Sequence, residues 1–171
     1  MRRFLWFAKV KYVKSSSFSY SIKFAQSLFY RFNQNELVHN KLQIHYIESV
    51  ETIGECNFRD CLNLESATVC SKETGLATFY NCINLTGVEL SDNVEEITGY
   101  TFQRCKSLET IELGDSITHI HYRAFWECEK LKSIIIPQNV RYLGNFLLAN
   151  CFSIEYVVSL IDKPVEVRYD G

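Results

Sequence analysis

Proline and glycine are scarce in this chain, two and seven residues among 171. That excludes collagen-like and low-complexity architectures, which need both in quantity. An excess of charge of one sign is also missing. Lys and Arg number 18 against 20 Asp and Glu, for a net charge of −2 with the histidines neutral. Such a balance provides no strong field to draw nucleic acid or an anionic membrane, so neither is expected as a partner. No apolar run approaches the roughly 20 residues of a membrane span. The basic start Met1-Arg2-Arg3 leads into an apolar stretch, Phe4 to Ala8, that stops at Lys9. A signal-peptide core needs roughly 7–15 residues. The chain therefore reads as soluble and unexported: either intracellular, or a form without its targeting parts. There is no CxxC pair of the zinc-ribbon kind. A glycine-rich phosphate loop, a GxSxG elbow and paired carboxylates in an expected cleft are all absent as well. No enzyme activity, catalytic residue, cofactor or metal is expected.

What is present is apolar: 47% hydrophobic residues and 14% aromatics, enough for one domain with a sizeable core. Seven cysteines stand out. Cys61, Cys82, Cys105, Cys128 and Cys151 are separated by 21, 23, 23 and 23 residues, and only Cys56 and Cys70 fall outside the series. A fixed period of this length signals an internal repeat. Other columns keep the same step. Three residues before each cysteine stand Phe58, Phe79, Phe102, Phe125 and Leu148. Three after it stand Leu64, Leu85, Leu108, Leu131 and Ile154, followed by Ala67, Val88, Ile111, Ile134 and Val157. The second unit is two residues short and interrupts two apolar columns with Ser71 and Thr74.

One such unit cannot bury its own apolar face, so the repeat implies a solenoid whose equivalent residues stack as ladders. The Leu-x-x-Ile-x-Leu segment alternates like a short strand with inward apolar residues. Strands of successive coils then pair in parallel about 4.8 Å apart. The cysteine column lies between two large apolar columns, which suits a small, polarizable, buried and inert side chain. Cys56 and Cys70 are expected to be the more exposed thiols. Ile44 falls one period before Ala67, so degenerate repeats begin near residue 38. Residues 1–37 read as a cap or as degenerate coils, residues 38–159 as the solenoid, and residues 160–171 as an edge strand or tail.

The spacing and residue types resemble the 23-residue leucine-rich repeats of the BspA type. The segments that carry this are Leu108 to Ile120, Ala124-Phe125-Trp126-Glu127-Cys128, and Ile136-Pro137-Gln138-Asn139-Val140-Arg141-Tyr142-Leu143-Gly144. The resemblance runs from Glu48 to Ser159. It implies a leucine-rich repeat solenoid of the α/β class, mostly short parallel β-strands, right-handed, with about five to six coils. It further implies a surface antigen or adhesin that binds host proteins. An intracellular leucine-rich repeat scaffold or regulator is the alternative that the missing signal peptide favours.

A protein partner is expected on the outward positions of the stacked strands. One end of that face is acidic, with Glu65, Glu89, Glu109 and Glu112. The other end carries Lys132, Ile135, Tyr156 and Val158, where exposed apolar side chains beside an aromatic suit binding anchors. His119-Ile120-His121 is the sharpest metal-like feature, because both imidazoles leave an extended segment on one side. The period puts Glu96 and Tyr142 beside His119, yet the surface there is convex. The set is therefore read as exposed polar residues with a His119–Glu96 contact.

Overall fold

A computed structural model describes residues 42–44 and 53–168. The expectations for residues 1–37 lie outside them. Ten short strands follow in chain order: β1 (Leu42–Ile44), β2 (Leu64–Val69), β3 (Gly87–Leu90), β4 (Glu96–Ile97), β5 (Thr110–Ile111), β6 (His119–Ile120), β7 (Ser133–Ile136), β8 (Tyr142–Gly144), β9 (Tyr156–Ser159) and β10 (Glu166–Arg168). No helix occurs among the described residues. The strands build a parallel β-solenoid of about four turns. That is slightly fewer than the sequence suggests, since the first coil contributes only β1 to the described residues.

From the third coil onward each coil gives one strand to each of two sheets, and the second coil touches the second sheet only through a Glu73–Glu96 bridge. The first sheet runs β1-β2-β3-β5, and the second runs β10-β8-β6-β4. The β7–β9 pair continues the first stack, where Lys132 N donates to Glu109 O at 3.2 Å. All pairings are parallel, and the sequence period becomes a shift of one coil. Ile44 pairs with Ala67, Ala67 with Val88, Val88 with Ile111, and Ile134 with Val157.

The third side of each coil is the turn-rich segment that ends on the cysteine. It is held by a second ladder of backbone bonds with the opposite sense. On the first sheet, N–H groups donate back to the preceding coil, as Thr86 N does to Glu65 O. On the turn side they donate forward: Phe79 N to Thr101 O, Phe102 N to Ala124 O, Phe125 N to Leu147 O. Two residues per coil adopt positive φ to make this possible. One column comprises Cys56, Ala77, Tyr100, Arg123 and Phe146, and the other Asp60, Asn81, Arg104, Glu127 and Asn150. Left-handed backbone costs roughly 1–2 kcal/mol per non-glycine residue. Every coil repeats that cost, and the forward hydrogen bonds offset it.

The core lies between the three sides. Phe79, Phe102 and Phe125 are fully buried. Their rings form a ladder, with centroids 5.5 Å apart for Phe79–Phe102 and 5.4 Å for Phe102–Phe125. Leu64, Leu85, Leu108 and Leu131 form the next ladder, also fully buried. Burying each such side chain contributes about 1.5–3 kcal/mol. The two polar interruptions in the short unit are internal as well. Ser71 Oγ donates to Glu73 O at 2.6 Å, and Thr74 Oγ1 bonds the hydroxyls of Thr98 at 3.1 Å and Thr101 at 2.9 Å. The missing two residues are thus replaced by a hydrogen-bonded hydroxyl cluster, which avoids the cost of unpaired buried oxygens.

Among the described residues, nothing covers the inward side of β9. Ile134 is 1% exposed, while Val157, its neighbour in the same inward column, is 48% exposed. β10 joins the second sheet beside β8, so it does not cover β9.

Candidate protein-binding face

The outward columns of the first sheet hold all eight residues expected to meet a partner, and the structure divides them into two regions. Glu89 and Glu112 stand exposed on or just beyond β3 and β5. They line an open depression of about 460 Å³ together with Ser66, Thr68, Gly87 and Thr110. Gly87 adds no side chain to this lining, and the space beside its α-carbon is open. Thr68 Oγ1 donates to Glu89 Oε2 at 3.2 Å along one wall. Glu65 is half-buried one position before Ser66 on β2.

Glu109 and Lys132 lie one coil apart and form an ion pair of 2.7 Å, Lys132 Nζ donating to Glu109 Oε2. That hydrogen bond holds the Glu109 carboxyl below the usual carboxylate range and raises the Lys132 ammonium. The pair marks the border between the acidic and the apolar regions. Beyond it, Ile135 and Val158 are register partners on β7 and β9, and Tyr156 pairs with Ser133. Ile135 is 50% exposed and Tyr156 is 55% exposed. A sheet surface with three such side chains in one patch presents a rigid apolar anchor.

The second sheet carries the histidines. The parallel register places Glu96, His119 and Tyr142 side by side. The closer carboxylate contact is to His121 and not to His119: His121 Nε2 lies 3.2 Å from Glu96 Oε2, and His119 Nδ1 lies 3.9 Å from Glu96 Oε1. His119 Nδ1 instead bonds the Thr118 hydroxyl at 2.8 Å. Both rings pack against Tyr142. Among the described residues, no group of three or more His, Cys, Asp or Glu side chains is placed to hold a metal ion.

One cluster was not foreseen. The Arg123 guanidinium lies 4.1 Å from the Trp126 ring centroid, 5.6 Å from Phe146 and 5.8 Å from Tyr100. These residues sit on the turn side, where Arg123 belongs to a positive-φ column. The hydrophobic periodicity carries no trace of such a column, so the clustering is invisible until the coils are stacked.

The cysteine ladder has a definite chemistry. Each thiol donates to the carbonyl of the phenylalanine in the preceding coil: Cys82 to Phe58, Cys105 to Phe79, Cys128 to Phe102 and Cys151 to Phe125, at 3.0–3.2 Å. Each of these carbonyls also accepts the backbone N–H of the cysteine in its own coil, so the thiol is a second donor to it. Burial pushes Cys61 up to about 12 and also raises Cys82, Cys105 and Cys128 well above the ordinary thiol value. Cys151 differs. It is half-buried, like Cys56 and Cys70, and its hydrogen bond with Cys128 holds it below the ordinary value.

The repeat geometry agrees with a known family of sequences. The description "BspA type Leucine rich repeat region" matches residues 4–78 and 72–163, in six copies. This chain belongs to the BspA-type leucine-rich repeat family. Solved structures share the solenoid fold. A leucine-rich cell surface protein of Faecalibacterium prausnitzii A2-165 superposes with a TM-score of 0.64 at 28% identity, over 70% of this chain and 31% of its own. A leucine-rich repeat protein of Bacteroides ovatus ATCC 8483 gives 0.61 at 31% identity, over 67% of this chain and 31% of its own. A T. pallidum leucine-rich repeat protein gives 0.61 at 21% identity, over 74% and 72%, and shows the fold alone. The BspA-type chain thus spans about a third of the length of the first two proteins. No curated protein matches it. Among its described residues, no helix is long and apolar enough to cross a membrane.

Proposed function

We propose that this repeat protein is a non-enzymatic binding module of the surface antigen or adhesin kind. It takes a protein partner on the outward face of the first sheet. The observation that carries this reading is the apolar patch of Ile135, Tyr156 and Val158, exposed on adjacent register-locked strands. The acidic depression at Glu89 and Glu112 adds charge selectivity at the other end of the same face. A parallel sheet fixes these side chains before the partner arrives, which reduces the entropy lost on association. The cell-surface location is supported by the Faecalibacterium relative, itself described as a cell surface protein.

The test is affinity capture with the parent protein, followed by affinity measurements on each captured partner. Ile135→Ser with Tyr156→Ser should keep the parent circular dichroism spectrum. It should weaken binding by at least roughly 30-fold, the loss of a hot spot worth about 2 kcal/mol. If the folded double variant binds every captured partner as the parent does, this face is not the site. Surface biotinylation of intact cells reports location. Labelling only after lysis would favour the intracellular scaffold.

A further inference from the structure

The turn side carries a cation whose hydrogen-bonding edge is unused, away from the outward face of the first sheet. Three rings surround the Arg123 guanidinium, with centroids 4.1 Å (Trp126), 5.6 Å (Phe146) and 5.8 Å (Tyr100) from its central carbon. They turn their faces to the cation, where an aromatic quadrupole is negative. A guanidinium held by its flat sides still presents its N–H groups in its own plane. Among the described residues, no acceptor takes up those groups of Arg123.

The same side of the molecule shows the completed arrangement. Arg59 lies 4.4 Å over the Tyr80 ring, and its Nε is 3.4 Å from Asp60 Oδ2. A ring covers the flat side and a carboxylate meets the edge. Arg104, the other arginine of the turn side, pairs with Glu127 at 3.0 Å. Arg123 has the rings without the carboxylate. It is half-buried, so a partner can reach it. Its coil has a described coil on either side: Tyr100 N donates to Tyr122 O at 3.2 Å, and Arg123 N to Asn145 O at 3.0 Å. The cluster is thus set within the stack.

We propose that the Arg123 cluster is a second docking site, for an acidic segment of a protein partner whose aspartate or glutamate carboxylate takes the in-plane N–H groups of the guanidinium. The planar fork matches a carboxylate with two parallel hydrogen bonds. The rings favour an anion over a sugar ring, which needs a free aromatic face to lie on. Trp126 already gives its face to Arg123 and stacks on Phe146 at 6.3 Å, and Tyr100 meets Tyr122 edge to face at 4.7 Å. What such rings leave outward is their edges, which are positive. The rings also hold the guanidinium in place before the partner arrives, which lowers the ordering cost of association. Trp, Tyr and Arg are the residue types that dominate binding energy at protein interfaces. The site lies on another side of the coil from Ile135 and Tyr156, so its loss leaves that patch intact.

The experiment uses the full 171-residue chain carrying Trp6→Phe, which leaves Trp126 as the only tryptophan. Its fluorescence is followed during titration with an acetylated, amidated peptide of alternating leucine and aspartate, and with the asparagine counterpart of that peptide. The aspartate peptide should give a saturable change and bind at least about tenfold tighter than the asparagine peptide. Arg123→Lys keeps the charge and loses the fork, so it should weaken binding at least about tenfold. Arg59→Lys should bind as the parent does, because Asp60 already meets that edge. Should Arg123→Lys not fold, the comparison of the two peptides on the parent decides. No fluorescence change with the aspartate peptide, equal affinity for the two peptides, a response to a glucuronate oligomer in place of the peptide, or a folded Arg123→Lys that binds like the parent overturns the proposal.

Discussion

Replacing Phe102 by alanine removes the central rung of the ring ladder. The side chain is fully buried between Phe79 and Phe125 at 5.5 and 5.4 Å, with ring planes within 14° of parallel. The transfer loss for a buried phenyl group is about 2–3 kcal/mol. The vacancy, about 100 Å³ before relaxation, adds up to about 2.4 kcal/mol at roughly 24 cal/mol per Å³. Partial collapse returns some of this, so the expected cost is about 4 kcal/mol. That is a large share of the roughly 5–15 kcal/mol that holds a domain folded. Equilibrium urea unfolding followed by circular dichroism measures it. Phe152→Ala is the control, because that ring is 78% exposed and should change stability by less than about 0.5 kcal/mol. Because each coil contacts only its neighbours, losing a central rung should also weaken cooperativity and lower the m-value. A cost for Phe102→Ala below about 1.5 kcal/mol, or one no larger than that of Phe152→Ala, would refute the ladder as the source of stability.

Four further outcomes are expected. Gly144→Ala should destabilise by about 1–3 kcal/mol or more, read as a drop in the thermal midpoint, because its Cβ would run into the backbone of His121 and Tyr122 in the preceding coil. Asn150→Val should cost about 1 kcal/mol while Asn150→Gly should not, since φ there is +60° and a β-branched residue is strained in that region; urea midpoints compare them. Thiol titration of the native protein should find Cys56, Cys70 and Cys151 reacting first and the four buried thiols only on unfolding. The folded Glu109 carboxyl titrates below its unfolded value. Its contribution is therefore present above about pH 4.3, the unfolded value, and lost as pH falls through the folded one. Glu109→Gln should lower the urea midpoint at neutral pH and match the parent near about pH 2; a difference that persists in acid would show that the ion pair is not its cause.

The inward columns were legible because a solenoid repeats one packing problem. Leu85, Leu108 and Leu131 face the same neighbours, so the sequence answers in the same way each time. Even the single register Ile44 to Ala67 follows from the period. Four things were not legible. The left-handed positions hold residues as different as Ala77, Tyr100 and Arg123, because a backbone constraint leaves little trace in side-chain type when hydrogen bonds outweigh its cost. Thr74 looks like a defect in an apolar column and becomes a core residue only when Thr98 and Thr101 stack beside it. Cys151 has the same periodic place as Cys105, and its exposure depends on what lies above it, which spacing does not encode. The carboxylate preference for His121 over His119 likewise turns on side-chain conformation and not on register.

The hydroxyl cluster around Thr74 has a consequence for how such a chain changes over generations. A coil shortened by two residues is accommodated there without breaking the register of β2 with β3. Small losses of length are therefore tolerated at the corner between the two sheets. Elsewhere, duplicating or deleting a whole coil should disturb the inherited contacts least. The outward columns would then be lengthened or cut in steps of one residue each, so the reach of the binding face can be revised by recombination while the ladder inside it stays unchanged.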